Sequence, residues 1–126
     1  MKTQIRWLLR RDMDDVLAIE RSSFEFPWTE HELLRTLRQR NVTGTVAEQD
    51  GSVIGFMLYE LHKPKLHLLS LAVHADHRRE CIGRQMLQRL IDKLSAQRRR
   101  FITAQVRETN LSAQLFFRAC GFEAML

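Results

Sequence analysis

Leu68-Leu-Ser-Leu-Ala-Val-His-Ala-Asp-His-Arg-Arg-Glu-Cys-Ile-Gly-Arg-Gln-Met-Leu87 is the stretch on which the fold turns. It opens as an apolar strand, passes through a short polar turn, and continues from Ile82 with apolar residues at helical spacing: Ile82, Met86, Leu87, Leu90, Ile91 and Leu94. Arg78, Arg79, Gly83 and Arg84 therefore gather where strand becomes helix. The first turn of a helix offers unpaired N–H groups and the positive end of its dipole, so a phosphate placed there gains hydrogen bonds and charge complementarity together. A polyanion is the expected ligand, and a well-capped structural helix is the competing reading of the same residues.

Upstream, Thr3 to Leu9 alternates with Ile5, Trp7 and Leu9 on one face, the period of a half-buried strand. Asp12 is placed to cap a helix in which Val16, Ile19 and Ser23 or Phe24 share a face, and Pro27 ends that segment. Thr29 followed three residues later by Glu32 is a capping box, opening a second helix that buries Leu33, Leu34 and Leu37. Val42 to Glu48 and Ser52 to Leu61 read as strands joined by Gln49-Asp50-Gly51, whose Asp-Gly pair predicts an antiparallel hairpin. Lys63-Pro64-Lys65 is a turn, and Leu66 to Val73 is the next strand, its apolar character predicting a central position. Beyond the long helix, Phe101 to Val106 reads as a strand parallel to Leu66–Val73, since a helix is the crossover between them. Asn110 or Thr109 caps a last helix with Leu111, Leu115 and Phe116 facing inward, and Gly121 ends it in a left-handed cap.

A chain of 126 residues is expected to form one domain, 1–126, with an ordinary core. No apolar window approaches a membrane span and the N-terminus lacks a signal-peptide core, so a cytoplasmic protein is expected. Cys81 and Cys120 lack metal-ligand spacing, and neither a metal site nor a disulfide is expected. Basic residues outnumber acidic ones twenty to fifteen, and sixteen of the twenty are arginine, whose planar fork suits phosphate. The excess also fits a solubilising surface, and Arg98-Arg-Arg100 reads as a solvated final helix turn. A nucleic-acid-binding domain would rest on that excess alone, without the interleaved aromatics such a site needs.

Strand, two helices, three strands, helix, strand, helix, with a phosphate-ready turn after the fourth strand, resembles the α/β fold of the GCN5-related N-acetyltransferases. Within that family the chain is most similar to the bacterial branch that acetylates the N-terminal alanine of a ribosomal protein. The resemblance covers Ile5 to Phe122 and rests on Phe26-Pro-Trp-Thr-Glu30, Leu71-Ala-Val-His-Ala-Asp-His-Arg-Arg79, Ile82-Gly-Arg84, Val106-Arg107, and Asn110 followed by Ala113, Gly121 and Phe122. It implies a mixed sheet splayed between the fourth and fifth strands, with helices on both faces and the pantetheine arm of acetyl-CoA in the gap. Leu71, Ala72 and Val73 would then meet the arm through their backbone, Arg78, Arg79, Glu80, Cys81, Ile82, Gly83 and Arg84 would seat the pyrophosphate, and Asn110 and Phe117 would approach from the last helix. Cys81 stands where the family pattern has its first glycine, which narrows the approach of phosphate to backbone. Phe26-Pro-Trp28 would border the acceptor groove, or else plug the core between two helices.

The implied reaction is direct transfer to an amine, a protein N-terminal α-amine and by resemblance that of a ribosomal protein, in a ternary complex whose thioester is polarised by backbone N–H near Val73. It needs a base for the amine proton and an acid for the thiolate. Relatives carry glutamate where this chain has Gln105, which can position water but cannot take a proton at neutral pH. They carry tyrosine where this chain has Phe117, which has no proton to give. His67 is the compensating base candidate, placed by strand alternation on the face of Leu69 and Leu71, with Glu60, Glu108 and Tyr59 as weaker ones. A cofactor-binding sensor or partner subunit with little catalysis is the alternative. The strand hairpin that follows Gly121-Phe122 in relatives is not in the sequence, so the expectation is that a homodimer partner covers the fifth strand's edge, or else that the sequence is a truncated version of a longer protein.

Overall fold

The computed structural model describes residues 2–96, 99–106 and 110–125. Arg98, Arg107, Glu108 and Thr109, and the side chain of Arg79, lie outside the described residues. Strand β1 (Gln4–Trp7) leads through a 3-10 turn (Arg10–Asp12) into helices α1 (Met13–Ser23) and α2 (Glu30–Leu37). Strands β2 (Val42–Gln49), β3 (Ser52–Leu61) and β4 (Lys65–Val73) follow, and a second 3-10 turn (Ala75–Glu80) joins β4 to helix α3 (Ile82–Ala96). Strand β5 (Phe101–Ala104) and helix α4 (Leu111–Ala119) come last. The strands form one sheet in the order β1-β2-β3-β4-β5, antiparallel throughout except for the parallel pair β4 and β5.

Alternation along the strands gives the sheet two apolar faces, and each face has its own helices. Met13, Val16, Leu17 and Ile19 of α1 and Leu33 of α2 pack with Val46, Phe56, Leu58 and Ala72 on one side. Ile82, Met86, Leu87 and Leu90 of α3 pack with Ala47, Met57, Tyr59, Leu66 and Leu68 on the other, where Phe116, Phe117 and Cys120 of α4 join them. Burial of this kind is worth roughly 1.5–3 kcal/mol per large side chain. Among the described residues, no helix is long and apolar enough to cross a membrane.

Local chemistry sets the element ends. Asp50 and Gly51 take φ of 50° and 82°, the two left-handed positions of the tight β2–β3 hairpin. The Thr29–Glu32 capping box forms in both directions at 3.0 and 3.1 Å. Helix α4 is capped by Asn110, whose Oδ1 accepts from Ala113 N at 3.1 Å. It ends at Gly121, φ 94°, where Gly121 N bonds Arg118 O, Phe122 N bonds Phe117 O, and the Phe122 and Phe117 rings meet with centroids 5.1 Å apart.

Several expectations are corrected. The first strand stops at Trp7, and Trp7 and Leu9 are 60% and 43% exposed, because Leu8 turns towards the core in their place. Asp12 makes no side-chain cap of α1. Its carboxylate reaches back instead, accepting from Leu9 N at 2.7 Å and from both terminal nitrogens of Arg6 at 2.8 and 3.0 Å. The last strand is shorter than Phe101–Val106, ending at Ala104. Leu111 and Leu115 face outward, 63% and 56% exposed, because Phe116 and Phe117 supply the inward stripe of α4. With Phe101, also exposed, they leave apolar surface on the last strand and helix.

A further correction concerns β4. Its register against β3 slips between Leu58 and Tyr59, which pair with Ser70 and Leu68 and leave Leu69 as an extra residue. This bulge offsets the side-chain alternation by one. His67, opposite Glu60, therefore shares the α1 face with Ser70 and Ala72, opposite Leu58 and Phe56, while Leu71 and Val73 lie on the α3 face opposite Met57 and Gly55. Uninterrupted alternation had put His67 with Leu71.

Candidate active site

Strands β4 and β5 pair only from Lys65–Phe101 to Leu68–Ala104. Beyond the bulge at Leu69, whose extra residue increases the local twist, β4 continues to Val73 with that edge unpaired by β5. The divergence opens a cleft of about 730 Å³. Its walls are His67 to Leu71 on β4, Ala104 at the end of β5 with Gln105 and Val106 after it, Asn110 at the cap of α4 with Ala113 and Phe117 within it, and the end of α1 with the segment to Trp28. The cleft reaches both faces of the sheet, with α4 on one side and the α1–α2 connection on the other.

The polar turn closes the far end of β4. Arg78 Nε donates to Val73 O at 3.0 Å and its Nη2 to Ser23 Oγ at 3.2 Å, so this guanidinium ties the turn to β4 and α1. Glu80 is held towards the β2–β3 hairpin by Gln49 Nε2 at 3.0 Å and by His77 Nδ1 at 2.9 Å, two bonds that lower its pKa. Cys81 takes φ 60° and ψ 25°, the left-handed conformation that a glycine adopts without strain. Gln85 N then bonds Cys81 O at 3.0 Å as the first closed turn of α3, leaving the amides of Ile82, Gly83 and Arg84 without an intrahelical acceptor. A Cβ on Gly83 would stand 3.4 Å from the Phe116 ring and 3.7 Å from Val73 Cγ2, so α3 begins directly against β4 and α4.

The residues sought for proton chemistry divide. His67 lies in the cleft wall, its Nδ1 sharing a 2.7 Å hydrogen bond with Thr103 Oγ1, and burial lowers its pKa so that the neutral ring is favoured. Gln105 is exposed in the opposite wall. Phe117 lines the cleft with its ring fixed edge-to-face between Phe116 and Phe122. Asn110 caps α4 and also lines the cleft. Phe26 is 60% exposed and lines the cleft, and Trp28 lines it while also packing against the core. Tyr59 is buried beneath α3 and lines a separate cavity of about 280 Å³ with Trp7 and Lys93, away from the cleft. Glu60 bonds His62 and is absent from the cleft walls.

One cleft residue escaped the reading of the sequence. Glu20 is 3% exposed, at the end of the buried stripe of α1, yet it is part of the cleft wall. Oε2 accepts from Trp28 N at 3.0 Å and Oε1 from Ser70 Oγ at 3.3 Å. Burial raises its pKa above the ordinary glutamate range, an effect these two bonds oppose. The signal was present, since Glu20 falls four residues after Val16 and three after Leu17, an acid at an apolar position of the helical repeat.

Residues 13–122 match the Acetyltransferase (GNAT) family. The chain is 26% identical over 111 residues to the [ribosomal protein bS18]-alanine N-acetyltransferase of Escherichia coli, covering 88% of this chain and 74% of that protein. It is 30% identical over 119 residues to an uncharacterized N-acetyltransferase of Methanocaldococcus jannaschii, covering 94% and 76%. Among solved structures, the E. coli ribosomal-protein-S18-alanine N-acetyltransferase superposes with a TM-score of 0.89 at 24% identity, over 99% of this chain and 80% of that one. Ard1 from Thermoplasma volcanium superposes with a TM-score of 0.91 at 22% identity, over 100% and 86%.

Proposed function

The chain belongs to the Acetyltransferase (GNAT) family of acetyl-CoA-dependent enzymes, and on that premise we propose that it transfers the acetyl group of acetyl-CoA to the α-amine of a protein N-terminus. The observation that carries this reading is the unpaired edge of β4 from Leu69 to Val73, leading to the open amides at the start of α3. An extended amide-bearing arm satisfies a strand edge as an added strand would. A pyrophosphate at the end of that arm meets Ile82, Gly83 and Arg84, with Asn110 and Phe117 against the arm from α4. In this reading Leu71, Ala72 and Val73 supply the backbone contacts, and Arg78 and Cys81 shape the turn more than they grip phosphate. The acceptor enters from the opposite side, past Phe26 and Trp28. Direct attack in a ternary complex suits a cleft open to both faces of the sheet, and a protein acceptor of ribosomal origin is supported by the names of the relatives.

Gln105 and Phe117 motivate a second reading, a domain that binds acetyl-CoA and transfers slowly or not at all, since neither side chain can exchange a proton at neutral pH. Calorimetric titration with acetyl-CoA, followed by thiol-release assays over N-terminal peptides, lysine peptides and small amines, separates the two. Micromolar binding with release on N-terminal peptides is expected. Binding without release on any amine would favour the sensor, and no binding would remove both readings. His67→Ala is expected to lower the rate and alter its pH dependence if the imidazole relays the proton; an unchanged profile would exclude it.

A further inference from the structure

Gln105 has no basic atom to take the amine proton, and among the described residues, beside the His67 imidazole, Glu20 is the carboxylate that is both buried and in the cleft wall. We propose that Glu20, held by Trp28 N and Ser70 Oγ, is the proton acceptor of the transfer, reached from the α1 face of the sheet. The inference rests on the acetyltransferase reading and deepens it by assigning the base.

The geometry supports this in three ways. Glu20 and Ser70 lie on the α1 face, and Phe26 and Trp28, the proposed acceptor border, flank the same side. Two donors fix the carboxylate, Trp28 N on Oε2 and Ser70 Oγ on Oε1, so its orientation does not depend on substrate. Ser70 directly follows the bulge residue Leu69, where β4 leaves β5, which sets the carboxylate beside the start of the gap. The charged and titratable groups around it are Glu32 of α2, Glu25 of the connection and His67 of β4. The described cleft walls carry two carboxylates and no lysine or arginine, which favours a cationic amine as the group drawn in. Burial, and Glu32 to a smaller degree, make Glu20 a stronger base than an exposed glutamate.

In the step itself, the bound ammonium first gives one proton to water, and the neutral amine nitrogen then attacks the thioester carbonyl carbon, forming the C–N bond. Its proton passes to Glu20, the carbon–sulfur bond breaks, and CoA leaves as the thiolate. Water protonates the thiolate, since Phe117 cannot, and Glu20 returns its proton to solvent, so amine and acetyl-CoA give amide and free CoA.

Glu20→Gln tests the assignment. The amide keeps an oxygen for Trp28 N and an NH2 for Ser70, so the fold is retained while the basic atom is lost. In a thiol-release assay with an N-terminal peptide, kcat/KM is expected to fall about 100-fold or more, with the calorimetric Kd for acetyl-CoA within twofold of wild type. The acidic limb of the wild-type pH profile should vanish in that variant. In Ser70→Ala, which removes a bond favouring the carboxylate, the limb should move to higher pH, a shift that a purely structural role would not produce. A Glu20→Gln enzyme with more than a third of wild-type kcat/KM and an unchanged pH profile would overturn the assignment and leave the acetyltransferase reading standing. A wild-type protein inactive on every amine would remove both.

Discussion

The Nε of Arg78 donates a 3.0 Å hydrogen bond to the carbonyl oxygen of Val73, joining the middle of the polar turn to the last residue of β4. The same guanidinium reaches Ser23 at the end of α1. The arginine that the sequence places at the phosphate turn thus also ties the turn to the end of β4. Arg78→Ala should therefore weaken acetyl-CoA binding about 3- to 10-fold in calorimetry while kcat changes less than twofold. Arg78→Lys should not restore affinity, because an ammonium cannot span two acceptors with a planar fork.

Cys81 occupies a left-handed conformation that costs a residue with a Cβ roughly 1–2 kcal/mol. Cys81→Gly relieves that strain at the expense of a more flexible unfolded chain, for an expected net gain of about 0.5–1 kcal/mol in denaturant unfolding. Removing the side chain also clears the approach to the α3 amides, and acetyl-CoA should bind several-fold more tightly. A variant with lower stability and unchanged affinity would contradict this.

The Arg6–Asp12 pair gives stability a signed pH dependence. Bonds from Arg6 and Leu9 hold the Asp12 carboxyl below the usual aspartate range. Its stabilisation is therefore complete above the unfolded aspartate pKa and lost as pH falls through the lower, folded one. Glu20 acts with the opposite sign. Its raised folded pKa favours the protonated native state, and that contribution is lost as pH rises from the unfolded to the folded value. Asp12→Ala should cost about 3 kcal/mol at neutral pH and flatten the acid limb of melting temperature against pH. Glu20→Gln should leave that limb in place.

Gln105 and Phe117 both line the cleft, so a carboxyl and a hydroxyl can be introduced there without moving backbone. Gln105→Glu is expected to raise kcat/KM at least 10-fold in the thiol-release assay by adding a carboxylate opposite β4. Phe117→Tyr adds a hydroxyl to a ring already held between Phe116 and Phe122, and should raise kcat by assisting thiolate departure. If neither substitution changes the rate, the proton path runs elsewhere in the cleft.

Phe101, Leu111 and Leu115 present apolar side chains on the last strand and helix, and no described strand pairs with the outer edge of β5. A second copy covering this surface should appear as concentration-dependent dimerisation in sedimentation velocity. Leu111→Asp with Leu115→Asp should yield a monomer of unchanged secondary structure. A chain that sediments as a monomer at all concentrations would argue against a dimer.

By itself the sequence determined the order of elements, the Asp50-Gly51 hairpin, the Thr29–Glu32 box, the Asn110 and Gly121 caps and the buried stripe of α3, because each depends on residues within a turn or two of one another. Local signals of that range also marked the strand-turn-helix at 68–87 as the expected seat of a phosphate-bearing ligand. Only the tertiary structure decided which face each side chain of β4 serves, since the bulge at Leu69 is a property of its pairing with β3 and leaves no unambiguous mark in an apolar run. It likewise decided that Phe116 and Phe117, and not Leu111 and Leu115, turn inward, because both stripes of α4 are apolar and the choice depends on what α3 and the sheet present. Glu20 entered the site for the same reason. A carboxylate on a helical stripe becomes a cleft residue only when Ser70 and Trp28, distant in sequence, are folded against it.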